Sequence, residues 1–170
     1  MGRNLGYGGA ATRVRGSVIM DLGKRMTKIL EIDPDRGYKH LWIDVPDLGG
    51  GSALGNTVDR GVGYTPYGNH YGCHYGMEVV LPTGEVIRNG MGAFPGNNSW
   101  QVFPDGFGPY VDGIFTQSNF GIVTKIEMTL MPNPGGSDGF MCTFKEEEDL
   151  AQIVSALSPA AAQKSSDKLT

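Results

Sequence analysis

A single β-rich domain with short helical pieces and one helix near its C-terminus is the fold class that this sequence predicts. Three observations carry the prediction. Short apolar runs with the alternating period of a strand, clearest at residues 126–130, are separated by tight Gly- and Pro-rich connections. Pro82-Thr83-Gly84 stands between Met77 to Leu81 and Glu85 to Arg88, two runs rich in β-branched residues, as a hairpin requires. From Glu146 the apolar period becomes helical, with Leu150, Ile153, Val154 and Leu157 on one face and acidic residues 146–149 suited to the positive end of a helix. At 170 residues and 39% hydrophobic content, one domain with its own core is expected.

In chain order, residues 3–9 set three glycines around Tyr7 as a loop, and Val14 to Asp21 reads as a short strand. Residues 23–33 read as a turn of helix through Met26, Ile29 and Leu30, followed by a strand in KILEID. Pro34 to Gly37 marks a turn, and Leu41 to Val45 a buried strand ahead of Pro46. Residues 55–60 form a short helix whose first amides suit a phosphate. Residues 89–113 are irregular and aromatic (Phe94, Trp100, Phe103, Phe107, Tyr110), the composition of a loop that binds or covers something. Gly139 to Phe144 predicts another strand, and 158–170 a disordered tail.

The stretch 41–68 holds seven glycines among Asp47, Ser52, Asn56, Asp59, Arg60 and Tyr64. Such a segment lets backbone N–H groups approach a polyanion while short side chains add hydrogen bonds. The alternative is a glycine-rich surface loop without a ligand. Net charge of −4 and a pI near 5.3 give no general attraction to nucleic acid or to an anionic membrane, so a phosphate would be held locally. Cys73 and Cys142 have no CxxC or Cys/His ligand spacing and read as free thiols in a reducing compartment. No run approaches the ~20 apolar residues of a membrane span, and the N-terminus lacks a signal-peptide apolar region and fits myristoylation poorly at Gly6. The expectation is a soluble intracellular protein.

Four phrases, NLGYGGAATRVRGSVIMDLGKRM, LWIDVPDLGGGSALGNTVDRGVGYTPYGNH, GMEVVLPTGEVIRNGMGAFPG and FGPYVDGIFTQSNFGIVTKIEMTLMPNPGG, cover most of residues 3–136. They resemble the vanillyl-alcohol oxidase, eugenol oxidase and 4-cresol dehydrogenase family. The resemblance implies an α+β fold: a partial PCMH-type FAD-binding domain over 1–157 with mixed β-sheets and flanking helices. It also implies FAD as cofactor, a small para-substituted phenol as substrate, and oxygen or an electron carrier as final acceptor. The intact family enzyme is compatible with a homo-oligomer.

Carried over, the resemblance puts Arg3, Asn4, Leu5, Gly6 and Tyr7 around the FAD pyrophosphate, where successive amides form an anion nest. Tyr7 matches the tyrosine that holds the phenolic oxygen, and Tyr64 an aromatic lining the same cavity. Asp47 matches the aspartate beside flavin N5, a proton acceptor or donor there. Pro46, Asp47, Leu48, Gly51, Ser52, Gly55, Asn56, Gly61 and Gly63 would line the path from ring to pyrophosphate, and Gly121, Ile122 and Val123 would meet the cofactor through backbone groups. The structural alternatives are packing roles for the tyrosines and a turn-capping role for Asp47. His70 and His74 read as structural, because GNHYGCH lacks the partners of a metal site, and Arg60 as support for the turn or the cofactor's charge.

The chain also departs from the family. Met1 begins inside the pyrophosphate loop, DRGYKH passes directly into LWIDVP where the family has a βα unit, and the match fades after Leu157, before the cap domain. Three outcomes follow from this pattern: a phenol-oxidising flavoenzyme, an inactive remnant with weak or no FAD binding, or a flavin-binding subunit completed by another chain.

Overall fold

The hairpin at the middle of the sequence becomes the centre of the fold. A computed structural model describes residues 14–32, 41–42, 51–100, 102–132, 135, 141 and 143–157. It divides into two compact units, Met1–Asn133 and Pro134–Thr170. In the first, β1 is Leu41–Trp42, α1 is Ala53–Val58, β2 is His74–Val80, β3 is Val86–Arg88, β4 is Ile122–Met128 and β5 is Met131–Pro132. In the second, a short 3-10 turn at Glu147–Asp149 leads into a helix, α2, over residues 150–157, as the sequence pattern predicts. Leu150, Val154 and Leu157 of its apolar face are exposed.

Strand β2 lies between β3 and β4, both antiparallel to it, and β1 pairs antiparallel with β5. The described sheets are therefore antiparallel where mixed sheets were expected. Gly84 at φ +88 closes the predicted hairpin, with Leu81 and Glu85 hydrogen-bonded around Pro82-Thr83-Gly84. A three-residue loop with its last residue left-handed is a favoured connection for such strands, and glycine adopts it without strain.

Period-two alternation sorts β2 into two faces. Met77 and Val79 face the core with Phe115 and Val123, and Leu54 and Val58 of α1, Tyr71, Leu81, Ile87 and Ile126 pack around them. Full burial of each large apolar side chain is worth about 1.5–3 kcal/mol, so these few residues hold α1 against the sheet.

The opposite face carries Glu78, aligned with Arg88 on β3 and Lys125 on β4. Its carboxylate receives Arg88 at 2.7 Å and Lys125 at 2.9 Å. Thr124 is the extra residue of a bulge in β4, and its hydroxyl donates to Glu78 Oε1 at 3.0 Å. Burial alone would raise the Glu78 pKa; the hydrogen bonds from Lys125, Arg88 and Thr124 together outweigh it and hold the pKa below 4.5. A depressed carboxylate stabilises the fold above its unfolded pKa, and that contribution is lost as pH falls through the folded value. Glu127 has the opposite sign: burial, then the charge of Glu31, raises its pKa. Acid unfolding followed by circular dichroism is expected to show less loss between pH 5 and 3 in Glu78→Gln than in the parent chain; equal losses would refute the assignment.

Two predicted strands are absent. Val14 to Asp21 and the described part of the run from Lys28 join no ladder; residues 22–24 form only a 3-10 turn, capped by Asp21. Alternation supplies a strand's side chains but no partner edge, and here Val18 is 91% and Ile29 77% exposed. Met141, Thr143 and Phe144 are in no strand either, and the rest of the 139–144 prediction lies outside the described residues, as do 43–45 and the tail.

Candidate functional site

The glycine segment enters the described structure at Gly51 and turns at once into α1. Ser52 is the N-cap, its hydroxyl accepting from the Gly55 amide at 3.0 Å. The helix starts and ends two residues earlier than predicted. Its end is a Schellman motif, with Gly61 N–H donating to Asn56 O at 2.8 Å and Arg60 N–H to Thr57 O at 3.0 Å. Arg60, at φ +55, takes the left-handed position where glycine is usual, so composition could not mark the stop.

Beyond it the chain folds back on itself. Asn56 is buried, its side chain hydrogen-bonded to His70 and pressed against Gly61, where a Cβ would come within 2.2 Å of Nδ2. His70 thus reaches α1. Gly63 donates to Gly68 O at 2.9 Å, closing a turn that leaves Tyr64 82% exposed. Gly121 lies against Val79, Ile122 is half-buried and Val123 is in the core. Arg3 to Tyr7 and Pro46, Asp47 and Leu48 lie outside the described residues.

These placements test how a cofactor would be held. The side chains of Ser52, Asn56 and Val123 and the amides of Gly55, Gly61 and Gly63 are engaged in the fold, whereas the backbone at 51–54 and 121–122 belongs to half-buried or exposed residues. The described residues fit a group taken up through backbone amides and carbonyls, and do not fit one gripped by the Asn56 side chain.

A buried polar cluster adjoins the core. His74 Nε2 is 2.8 Å from Asp112 Oδ2, with the two side chains 1% and 3% exposed. The other ring nitrogen, Nδ1, bonds to the Tyr71 carbonyl, and the Tyr110 hydroxyl lies 3.2 Å from Nε2. Both ring nitrogens face oxygen atoms, Nδ1 the Tyr71 carbonyl and Nε2 the Asp112 carboxyl group, so the ring is held from both sides. Burial, then the neighbouring Tyr71 hydroxyl and the Asp112 charge, hold the Tyr110 phenol well above its ordinary range and keep it protonated. Arg60 completes the cluster, with its guanidinium 4.7 Å from the Tyr71 ring centre and Nε donating to Thr116 at 3.1 Å. The sequence reading gave His74 no carboxylate partner; the partner lies 38 residues on and is brought in by the turn at Asp112–Phe115. Among the described residues no group of three His, Cys, Asp or Glu side chains is placed to hold a metal ion.

No protein-family model matches the chain. The 4-cresol dehydrogenase [hydroxylating] flavoprotein subunit of Pseudomonas putida is 46% identical over 180 residues, covering 93% of this chain and 34% of that protein. The chain is homologous to this flavoprotein subunit. The resemblance read from residues 3–136 is thereby borne out for the 4-cresol dehydrogenase branch. Two solved structures agree: the 4-ethylphenol oxidase of Gulosibacter chungangensis, in complex with isoeugenol, at TM-score 0.78 and 40% identity, and p-cresol methylhydroxylase with substrate bound, at 0.77 and 43%. Each covers 93% of this chain, which spans 34% and 35% of theirs. The 1'-carboxy-chondrochloren decarboxylase of Chondromyces crocatus is 31% identical over 173 residues, covering 89% of this chain and 32% of that protein.

This chain therefore spans about a third of the length of its relatives. The matched stretches also contain positions that this chain does not fill. Since 93% of 170 residues is about 158, an alignment of 180 positions leaves about 22 of them unfilled by this chain. For the decarboxylase, 89% is about 151 against 173 positions, and the shortfall is again about 22.

Proposed function

We propose that this chain is the flavin-facing portion of an FAD-dependent oxidoreductase of para-substituted phenols. The observation that carries the reading is the 46% identity to a flavoprotein subunit over 93% of the chain. The similarity to a decarboxylase as well as to phenol-acting enzymes supports assigning the shared third to cofactor handling rather than to the choice of reaction.

When bound, FAD supplies a two-electron acceptor for a hydride leaving the benzylic carbon. The residues of this chain bind and orient. Arg3 to Tyr7, with Gly51, Ser52 and the 121–123 backbone, hold the cofactor's charge and edge through main-chain groups, and Gly55, Gly61 and Gly63 line its path. Tyr7, with Tyr64 beside it, fixes the phenolic oxygen, and a hydrogen bond that favours the phenolate pushes electron density toward the benzylic carbon. The Asp47 carboxylate holds or releases a proton beside the ring.

A specific observation favours a second reading, an inactive remnant with weak or no FAD binding: within the matched stretch about 22 aligned positions are unfilled, and many large apolar side chains are exposed. Mixing the purified chain with FAD, passing it through gel filtration and recording the visible spectrum separates the two. The flavoenzyme reading predicts flavin bands in the protein peak that bleach when a 4-alkylphenol is added without oxygen. A colourless protein peak contradicts flavin binding and favours the remnant, and retained flavin without bleaching contradicts the phenol-oxidising reading.

A further inference from the structure

Two residues other than glycine hold a left-handed backbone among the described residues, Arg60 at φ +55 and Gln117 at φ +49. Each carries a Cβ that this conformation crowds, so each must be held there by its surroundings. They hold one another's segments. Arg60 Nε donates to Thr116 Oγ1 at 3.1 Å, Gln117 Nε2 donates to the Asp59 carbonyl at 2.8 Å, and the Gln117 N–H donates to the Val58 carbonyl at 3.0 Å. These hydrogen bonds join the C-terminal end of α1, at 58–60, to 116–117. Thr116 is buried and its hydroxyl donates to the Gly113 carbonyl, and Phe115 lies in the core, so the 116–117 side of the join is anchored. Gln117 itself is exposed.

The joined segments lead to the two backbone stretches that are open to a cofactor. Residues 51–54 enter α1 at its other end, and 121–122 begin four residues after Gln117, where Gly121 packs on Val79 and Ile122 pairs with Val80. Leu54 and Val58 seat α1 on the core, but apolar burial is non-directional and leaves the helix free to tilt. Hydrogen bonds have a preferred geometry and remove that freedom. We infer that Gln117 is a positioning residue for FAD: its amide locks the end of α1 against the approach to β4, and so sets the distance between the main-chain groups of 51–54 and 121–122. The effect on FAD rests on the function proposed above, whereas the lock itself does not.

Gln117→Ala and Gln117→Gly separate positioning from stability, because both remove the amide and only alanine keeps the crowded Cβ. Gln117→Ala should therefore have the lower urea midpoint of the two. Both variants of the 170-residue chain are expected to bind FAD about 3–10-fold more weakly than the parent in a fluorescence-quenching titration, as the loss of one hydrogen bond implies. A purely structural role would make affinity follow the midpoint, so parent-like FAD binding by Gln117→Gly would overturn the inference. Amide hydrogen exchange without flavin reads the lock directly. Gln117→Gly should exchange faster at residues 59–61, and unchanged rates there would overturn the inference whether or not FAD binds. A parent chain that binds no FAD would overturn the function proposed above, and with it the effect assigned to Gln117.

Discussion

Replacing Asp112 by Ala is expected to cost about 3–5 kcal/mol of stability, the range found when one partner of a buried ion pair is removed. The His74 ring, 1% exposed, would be left facing a void in place of the carboxyl group 2.8 Å away, its Nε2 without that partner. For a domain of ordinary stability, about 5–15 kcal/mol, such a loss removes a large share of the total. The urea midpoint should fall steeply. Asp112→Asn keeps an oxygen acceptor toward Nε2 but removes the charge, so its midpoint should lie between parent and Asp112→Ala. A midpoint unchanged in Asp112→Ala would contradict a stabilising role for the buried pair.

A second large effect is expected at Gly76. A Cβ there would meet Trp100 Nε1 at 2.0 Å and Cδ1 at 2.8 Å. The indole cannot retreat, because a Cβ on Gly92 would meet its ring at 2.3 Å: the ring lies between two glycine backbones. Gly76 is paired with Glu127 across β2 and β4, so the strand cannot yield without breaking the register around Glu78. Gly76→Ala should destabilise by about 1–3 kcal/mol, the cost of overpacking. In a Trp42→Phe background, Trp100 emission should shift to the red as the ring is pushed into water. Parent-like emission and stability would show that the ring has room the packing denies it.

What the sequence could disclose was local. The 77–88 hairpin was legible because Gly84 and its flanking β-branched runs are nearest neighbours, and α2 because its apolar face repeats within four residues. Helix α1 was legible in kind but not in limits, since Ser52 caps it two residues early and Arg60 does a glycine's work at its end. The strands at 14–21 and 28–32 were misread for a physical reason: alternation is a property of one segment, pairing a property of two. The same limit applied to the His74–Asp112 pair, whose members are 38 residues apart and meet only because Phe115 anchors the intervening turn in the core. Of the candidate site, Ser52 followed by a helix could be read directly, whereas the engagement of Asn56 with His70 and Gly61 could not. A short polar side chain in a glycine segment looks the same whether it faces a ligand or the chain itself.

The central claim is that this chain takes up FAD through its backbone on either side of α1 and at the start of β4. Hydrogen exchange of the 170-residue chain with and without saturating FAD tests it most directly. The account predicts slower exchange at amides of residues 51–54 and 121–122, with the His74–Asp112 cluster and the 150–157 helix unaffected. Flavin-dependent slowing confined to other segments, or none at any FAD concentration, would contradict it.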